Sequence, residues 1–156
     1  MKKYLYLLVA IVCMGFTACG SDDDGGAESG LNGKWAVTSS EADDHYYEKV
    51  GSVWDFSNGK VTIYERDNTK NAGDYRIDPN SLTLYVTITK NYDPDGTLFW
   101  EIKNNKLYYY DEDGNVEMEY ELSDYASKPD EYKYSINGNV LQLTNHYRET
   151  FILTRQ

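Results

Sequence analysis

Cysteine is scarce in this chain and is confined to its N-terminal end. The 156 residues contain two cysteines, Cys13 and Cys19, and everything from Gly20 onward is free of cysteine. Disulfides therefore cannot hold the larger part of the chain together, so burial of apolar side chains and backbone pairing must do so. The length fits one domain of ordinary size with a single core.

Basic residues are also in the minority. Lysine and arginine number 15 against 26 aspartates and glutamates, which gives a formal net charge of -11. A field of this sign repels nucleic acid phosphates and anionic lipid surfaces, so a nucleic acid partner is excluded as a first interpretation. With 40% hydrophobic residues, 15% aromatic residues and 16 tyrosines, the composition predicts a folded chain and not a disordered one.

Histidine, a frequent catalytic and metal-binding side chain, occurs only twice, as His45 and His146. No His-x-x-His pair or thiolate stands beside either one to complete a zinc site. The G-x-S-x-G and H-E-x-x-H patterns of hydrolases and zinc proteases are absent from the sequence. We therefore predict no catalytic residue, no metal ligand and no cofactor, although two distant carboxylates could still meet across a barrel mouth for glycoside hydrolysis.

Two acidic stretches resemble fragments of calcium-binding loops. They are Asp93-Pro94-Asp95-Gly96 and Asp111-Glu112-Asp113-Gly114-Asn115. Each lacks the bidentate glutamate that closes an EF-hand loop, and neither has helical flanks. Because Asp-Gly is itself a hairpin signal, the sequence favours two tight turns over two ion sites.

Apolar and polar residues alternate between turn signals through most of residues 32–156. The clearest hairpin joins residues 53–56 to residues 61–64 through Asn58-Gly59, and another joins residues 132–136 to residues 140–143 through Asn137-Gly138. Strands with one apolar and one polar face indicate an antiparallel sheet that buries one side. The pattern predicts about ten short strands in an all-β antiparallel meander. Residues 41–49 are expected to form a long loop or one helical turn over a barrel mouth.

The N-terminus has the layout of a signal peptide. Two lysines precede an uncharged, largely apolar stretch at residues 4–14, and small residues follow it. This stretch is shorter than the roughly 20 residues that a transmembrane helix needs. The segment Phe16-Thr17-Ala18-Cys19 resembles the lipobox of bacterial lipoproteins, which implies that residues 1–18 are removed and that Cys19 carries the lipid. The alternative is an ordinary cysteine near a conventional cleavage site.

An acidic run follows the predicted lipid attachment site directly. Its residues are Ser21, Asp22, Asp23 and Asp24, followed by two glycines. The run resembles the export signal of surface lipoproteins of the Bacteroidetes type, which implies an outer-membrane protein that faces outward. The same composition is also typical of a solvated, self-repelling linker. We assign residues 19–31 to a flexible acidic linker and residues 32–156 to the folded domain.

The start of the predicted domain carries the sequence Gly33-Lys34-Trp35. It resembles the G-x-W signature of lipocalins, and the domain as a whole is similar to the lipocalin-like lipoproteins of Bacteroidetes-type bacteria. The resemblance implies a lipocalin-like β-barrel of about 8–10 strands. It also implies that Trp35 packs at the closed end of the barrel under a basic side chain from the last strand. Arg155 matches that position, with Arg148 as the alternative.

Large side chains on the apolar parity of the predicted strands are the candidates for a ligand site. Aromatic walls with hydroxyl groups suit a small apolar, aromatic or glycan ligand, whereas the alternative is a small barrel filled by its own side chains. Tyr85, Tyr108 and Tyr110 lie on the opposite parity, where they would be exposed to a partner or form cross-strand pairs. The candidates on the apolar parity are Trp54, Trp100, Tyr109, Met118, Tyr120, Tyr132 and Tyr134.

Two functions are compatible with these features. The first is a lipid-anchored, non-enzymatic surface lipoprotein that binds a small molecule or glycan in or at the barrel. The alternative is an interaction module with a filled barrel, which presents a tyrosine-rich outer face to a protein or a polysaccharide. A wide cavity would favour the first function, and a packed interior with an exposed tyrosine patch would favour the second.

Overall fold

One short helix and eleven strands make up the part of the chain that the structure describes. The structure is a computed structural model, and it describes residues 28–41, 47–122 and 128–156. The predicted signal peptide, Cys19, the acidic run at residues 21–24 and His45 lie outside the described residues. The elements are α1 (Glu28–Leu31), β1 (Gly33–Ser40), β2 (Val53–Ser57), β3 (Lys60–Tyr64), β4 (Lys70–Asp78), β5 (Thr83–Tyr92), β6 (Leu98–Lys103), β7 (Lys106–Tyr110), β8 (Val116–Glu121), β9 (Asp130–Asn137), β10 (Val140–Thr144) and β11 (Thr150–Arg155).

Eight of these strands close into a barrel. Strands β1 to β5 pair in chain order, β5 pairs with β9, and β9, β10 and β11 lead back to β1. Every pairing between neighbouring strands is antiparallel, as expected for strands joined by short connections. The prediction of an all-β antiparallel meander that closes into a barrel is confirmed.

Local backbone chemistry sets the hairpins and one close approach in the barrel wall. Asn58 and Gly59 both have positive φ, at 49° and 77°, which a two-residue hairpin turn requires. Gly73 lies at a bulge between β4 and β5, where a Cβ atom would be 1.9 Å from the Thr87 carbonyl oxygen. Only glycine allows the two strands to approach this closely.

Apolar and aromatic side chains occupy the barrel interior. The Trp54 ring centroid lies 5.9 Å from that of Phe56, 5.7 Å from that of Tyr132 and 5.9 Å from that of Phe151. Aliphatic residues from the facing strands complete this core. The completely buried aliphatic members, each no more than 2% exposed, are Leu31, Val37, Val61, Ile63, Leu84, Val86, Leu141, Leu143 and Leu153.

The closed end of the barrel is covered by α1. Leu31 is 1% exposed, and its carbonyl oxygen accepts a hydrogen bond of 2.7 Å from Trp35 Nε1. Arg155 donates to the carbonyl oxygens of Asn32 and Gly30 at 2.8 and 2.6 Å, and its guanidinium carbon lies 4.2 Å from the Trp35 ring centroid. Gly30 and Leu31, at the end of the segment that the sequence assigns to the linker, therefore contact the barrel domain, and Leu31 packs in its core.

Strands β6, β7 and β8 extend away from the barrel. Residues 83–86 of β5 pair with β9, and residues 90–92 pair along the same edge with β6. The sheet therefore branches at β5, and β8 lies farthest from the barrel with all six residues exposed. Leu82 has the same parity as Leu84 and Val86, but it lies in the turn before β5, with a φ of 49° and 56% exposure.

Candidate functional site

The structure divides the predicted ligand-binding side chains between two regions. Trp54 and Tyr132 lie in the barrel interior in edge-to-face contact, and Tyr134 packs against the same core while half-buried. The other four candidates lie on the extension and do not face the interior. They are Trp100, Tyr109, Met118 and Tyr120.

A cavity of about 260 Å³ lies at the open end of the barrel. Three chain segments surround it: residues 47–48, the start of β9, and the turn at residues 145–149. The lining combines aromatic rings with carboxylates and one amide, which is a chemistry suited to hydroxyl groups. The lining residues are Tyr47, Glu48, Asp130, Glu131, Tyr132, Asn145, His146 and Tyr147.

Asn145 organises the polar wall of this cavity. Its amide nitrogen donates to Glu48 Oε2 at 3.1 Å and to Glu149 Oε2 at 2.8 Å. Its amide oxygen accepts from the backbone N–H groups of Tyr147 and Glu149, each at 3.0 Å. Glu48 and Asn145 are 4% and 7% exposed, so this network holds a carboxylate in a nearly dry position.

Two of the three tyrosines that line the cavity, Tyr47 and Tyr132, remain protonated at neutral pH. Burial raises the pKa of Tyr47 to about 12, and the nearby carboxylates of Asp130 and Glu65 add to the effect. Burial also raises the pKa of Tyr132 well above its usual value, with Asp130 and Glu48 contributing. Both phenols therefore remain potential hydrogen-bond donors. Trp54 Nε1 donates to the Tyr47 carbonyl oxygen at 2.9 Å, which connects the core to the cavity wall.

A second polar cluster lies on the strands near the same end. Asn71 is 1% exposed, and its amide nitrogen donates to Glu65 Oε1 at 2.7 Å. The Asn91 amide nitrogen donates to Asn71 Oδ1, also at 2.7 Å. Burial raises the pKa of Glu65, and the hydrogen bond from Asn71 opposes that rise. This arrangement introduces polar groups into strand positions that otherwise face the core.

Sequence reasoning did not identify Glu48, Asn71 or Asn145. Glu48 lies in an irregular segment, and Asn145 lies in a turn where asparagine is common for conformational reasons. Asn71 did carry a signal, because it has the same parity as Tyr75 and faces the core as a polar residue. A polar residue at an apolar position of a strand predicts a buried hydrogen bond.

One face of the extension is apolar and partly exposed. The register places Trp100, Tyr109 and Met118 side by side, and the next row contains Ile102, Leu107 and Tyr120. The Tyr109 ring lies 5.5 Å from Phe99 and 6.1 Å from Tyr120, both in edge-to-face geometry. Phe99, Met118 and Tyr120 are 42%, 43% and 51% exposed, so this face offers aromatic surface to a partner.

The opposite face of the extension is charged. Lys103 Nζ lies 2.6 Å from Glu101 Oε1, which also accepts a hydrogen bond from the Tyr110 hydroxyl. The hydrogen bonds from Lys103 and Tyr110 lower the pKa of Glu101, and the same contacts raise the pKa of Lys103. Lys106 Nζ contacts Glu119 at 2.5 Å and Glu121 at 3.1 Å. The charges of this face are therefore largely paired along the strands.

Two of the tyrosines that the alternation assigns to the outer face of the sheet lie under basic side chains. Tyr108 lies on the charged face of the extension, with Lys103 Nζ 4.8 Å from its ring centroid. Tyr85 lies on the outer surface of the barrel, where the Arg76 guanidinium carbon is 3.6 Å from its ring. These contacts are cation–π pairs between neighbouring strands. They favour a stabilising role for these two rings over a role in ligand contact.

The two acidic stretches form turns at the end of the extension. The Thr97 N–H donates to Asp95 Oδ1 at 2.9 Å, and the Asn115 N–H donates to Asp111 Oδ1 at 2.8 Å. The two turns border a cavity of about 630 Å³. Within the described ranges, no group of three or more histidine, cysteine, aspartate or glutamate side chains is arranged to hold a metal ion.

No protein-family model matches this chain, and no curated protein matches it. Among residues 28–41, 47–122 and 128–156, no helix has the length and apolar character needed to cross a bilayer.

Proposed function

We propose that this chain is a lipid-anchored lipoprotein of the outer membrane that binds a glycan at the open end of its barrel without catalysing a reaction. The membrane part of the proposal rests on the signal-peptide layout, on the lipobox resemblance around Cys19 and on the acidic run at residues 21–24. These features come from the sequence, as does the resemblance to lipocalin-like lipoproteins. The proposed layout is a signal at residues 1–18, a linker, and a barrel domain.

The observation that carries the glycan proposal is the cavity of about 260 Å³ at the barrel mouth. Exposed carboxylates such as Asp130 accept hydrogen bonds from sugar hydroxyls, while neutral phenols such as the half-buried Tyr47 donate them. The exposed ring of Tyr147 offers an apolar surface against which a sugar ring can pack. The acidic lining disfavours an anionic ligand, so a neutral or cationic sugar fits this cavity best.

The packed interior is the reason to place the ligand at the mouth. Trp54, Phe56 and Phe151 fill the centre of the barrel, and each is no more than 1% exposed. An apolar ligand inside would have to displace these rings from contacts that stabilise the fold. A ligand at the mouth displaces only water.

Binding of the full chain to glycan arrays tests this proposal. Two variants are compared, one changed at the mouth and one changed on the extension. Tyr147→Ala removes a ring at the mouth that is 60% exposed, and Tyr120→Ala removes a ring on the extension that is 51% exposed. We expect Tyr147→Ala to weaken glycan binding about tenfold, the effect of losing one stacking contact of roughly 1.4 kcal/mol. Tyr120→Ala should leave glycan binding unchanged. Equal effects of the two changes would contradict a site at the mouth.

The exposed apolar face of the extension supports a second candidate function, the binding of another protein. Phe99, Tyr109 and Tyr120 form a contiguous aromatic surface that lies outside the barrel, with Met118 beside it. Surfaces of this kind mark interaction sites. For this function the same two variants should behave in reverse, so that Tyr120→Ala weakens protein binding and Tyr147→Ala does not.

Membrane attachment is tested separately at Cys19. Cys19→Ser should prevent acylation and move the protein from the outer-membrane fraction to the soluble fraction. Replacement of Asp22, Asp23 and Asp24 by alanine should keep the protein on the membrane but reduce its cleavage by protease added to intact cells. A Cys19→Ser protein that remains in the outer membrane after signal removal would overturn the lipoprotein assignment.

A further inference from the structure

The outer edge of β8 is open to a further strand. In the part of the chain that the structure describes, β8 pairs with β7 alone, and all six of its residues are exposed. The Leu122 N–H donates to the Asn105 carbonyl oxygen. Because antiparallel strands alternate between bonded and non-bonded pairs, the N–H groups of Glu119 and Glu121 point away from β7. The edge therefore presents backbone donors and acceptors to a partner.

The side chains along this edge are acidic on one face and apolar on the other. Glu119 and Glu121 lie on the charged face, where they share a single cation, Lys106. Met118 and Tyr120 lie on the apolar face. A strand added to this edge would continue both faces, so it needs basic residues on one side and apolar residues on the other.

A cavity beside the start of β8 extends the negative surface. Its volume is about 630 Å³, and the turns at residues 93–97 and 111–115 border it. The backbone N–H groups of Thr97 and Asn115 lower the pKa values of Asp95 and Asp111, so both carboxylates stay ionised at neutral pH. The carboxylates that line it are Asp93, Asp95, Asp111, Glu112 and Glu117.

A second copy of this chain is a poor partner for the edge. In a symmetric antiparallel pairing of two β8 strands, the outward-pointing N–H groups of one copy must meet the outward-pointing carbonyls of the other, so residues of the same parity oppose one another in every register. Within β8, Glu119 then faces a glutamate of the second copy, and like charges directly opposite each other are destabilising.

We propose that the outer edge of β8, with the acidic cavity beside it, binds an extended segment of another protein in which lysine or arginine alternates with apolar residues. Strand addition supplies the backbone hydrogen bonds, and the alternating side chains supply the specificity. The basic residues contact Glu119, Glu121 and the acidic cavity, while the apolar residues extend the surface of Met118 and Tyr120. The inference is independent of glycan binding at the mouth. It rests on the second candidate function, the binding of another protein by the extension, and it names the class of that protein segment.

A dye-labelled peptide that alternates lysine and isoleucine tests this inference by fluorescence anisotropy. The full chain is reconstituted in nanodiscs of neutral phosphatidylcholine, and empty nanodiscs serve as the blank. Glu119→Gln removes the charge alone, whereas Glu119→Pro removes both the charge and the outward N–H, a change that edge strands tolerate. We expect the proline variant to bind the peptide about 3- to 10-fold more weakly than the glutamine variant, because it lacks one more hydrogen bond.

Several results would overturn the inference. Absence of peptide binding would exclude strand addition, and so would equal peptide binding by Glu119→Pro and Glu119→Gln. Either result would overturn this inference alone, because the protein-binding function is tested separately with Tyr120→Ala. Equal binding of a peptide that alternates glutamate and isoleucine would exclude recognition by charge. A dimer of the parent chain that dissociates in Glu119→Pro would assign the edge to a second copy. Thermal unfolding checks that each variant is folded. If Glu119→Pro does not fold, the pair Glu121→Pro and Glu121→Gln repeats the test.

Discussion

The barrel wall and the extension are built from similar strands whose apolar faces meet different surroundings. In β2, Trp54 and Phe56 occupy alternate positions and are 0% and 1% exposed. In β8, Met118 and Tyr120 alternate in the same way and are 43% and 51% exposed. Alternation therefore shows which side chains share a face of the sheet. The closure of the sheet decides whether that face is buried.

The difference between the two regions originates at β5. The first half of β5 pairs with β9 and closes the ring, whereas the second half pairs with β6 along the same edge. Strands that follow β9 return to β1 and bury their apolar residues in a common core. In the described part of the chain, the strands that follow β6 end at β8, whose six residues are all exposed. The pairing of β5 thus determines which of two similar sets of strands buries its apolar face in the barrel core and which set exposes it.

The sharpest test of this comparison replaces one tryptophan in each region. Trp54→Ala should lower the free energy of unfolding by about 3–5 kcal/mol, the usual loss for a buried large aromatic side chain. Trp100→Ala, on the extension, should lower it by about 1 kcal/mol, because that ring is only half-buried and the barrel core is untouched. Urea unfolding of both variants measures the two losses. Similar losses would mean that the extension is part of the core.

Alkaline pH should destabilise the protein through the buried tyrosine at the barrel mouth. The pKa of Tyr47 is about 12 in the folded protein against 10.0 for an ordinary tyrosine, so the unfolded chain ionises first. The contribution of Tyr47 to stability should therefore be constant below pH 10 and fall between pH 10 and 12, by at most about 1.4 kcal/mol per pH unit. Tyr47→Phe should reduce this fall in urea titrations at pH 9, 10 and 11. The matched Tyr120→Phe, on the extension, should leave it unchanged.

The contact between Trp35 and Arg155 sharpens the comparison at the closed end. A guanidinium over an indole face contributes on the order of 1 kcal/mol, and a double-mutant cycle with Trp35→Leu and Arg155→Met, each of which removes the cation–π contact, isolates that coupling. The outer pair Arg76 and Tyr85 provides the control, because its geometry is similar while its surroundings are more exposed. If the coupling between Trp35 and Arg155 is no greater than that between Arg76 and Tyr85, then shielding at the closed end does not strengthen the contact.

The smallest effect is expected from the ion pairs of the extension. Lys106→Gln removes the cation shared by Glu119 and Glu121, yet surface ion pairs in water contribute little to stability. We expect its thermal midpoint to match that of the parent protein within measurement error, at both low and high salt. A clear loss at low salt alone would show that charge repulsion along β8 matters to folding.

The general fold was predictable from the sequence because its signals are local. Alternation indicated strands, and the Asn58-Gly59 pair indicated a hairpin whose positive φ angles the structure contains. The position of Arg155 beside Trp35 was inferred from the family resemblance, and the two side chains lie in contact. The first two inferences concern residues that are neighbours in the sequence. The third concerns the ends of two adjacent strands, the first and the last.

The candidate site was harder to predict because it depends on pairings between distant strands. No local pattern distinguishes Trp54, which faces the interior, from Trp100, which lies outside the barrel. The branch at β5 depends on which strand pairs with each half of its edge, and that is a property of the whole sheet. The network around Asn145 joins Glu48 to Glu149 from segments far apart in sequence, so single-residue patterns do not indicate it.

Arg155 also joins the two ends of the barrel domain at one place. It ties the end of β11 to Gly30 and Asn32, immediately before β1, so the chain enters and leaves the barrel at the same closed end. The cavity lined by Tyr47 and Tyr147 lies at the other end. A force applied at residue 28 would therefore reach the barrel at its closed end and load β1 between its two neighbouring strands. The mouth lies at the end of the barrel farthest from that point.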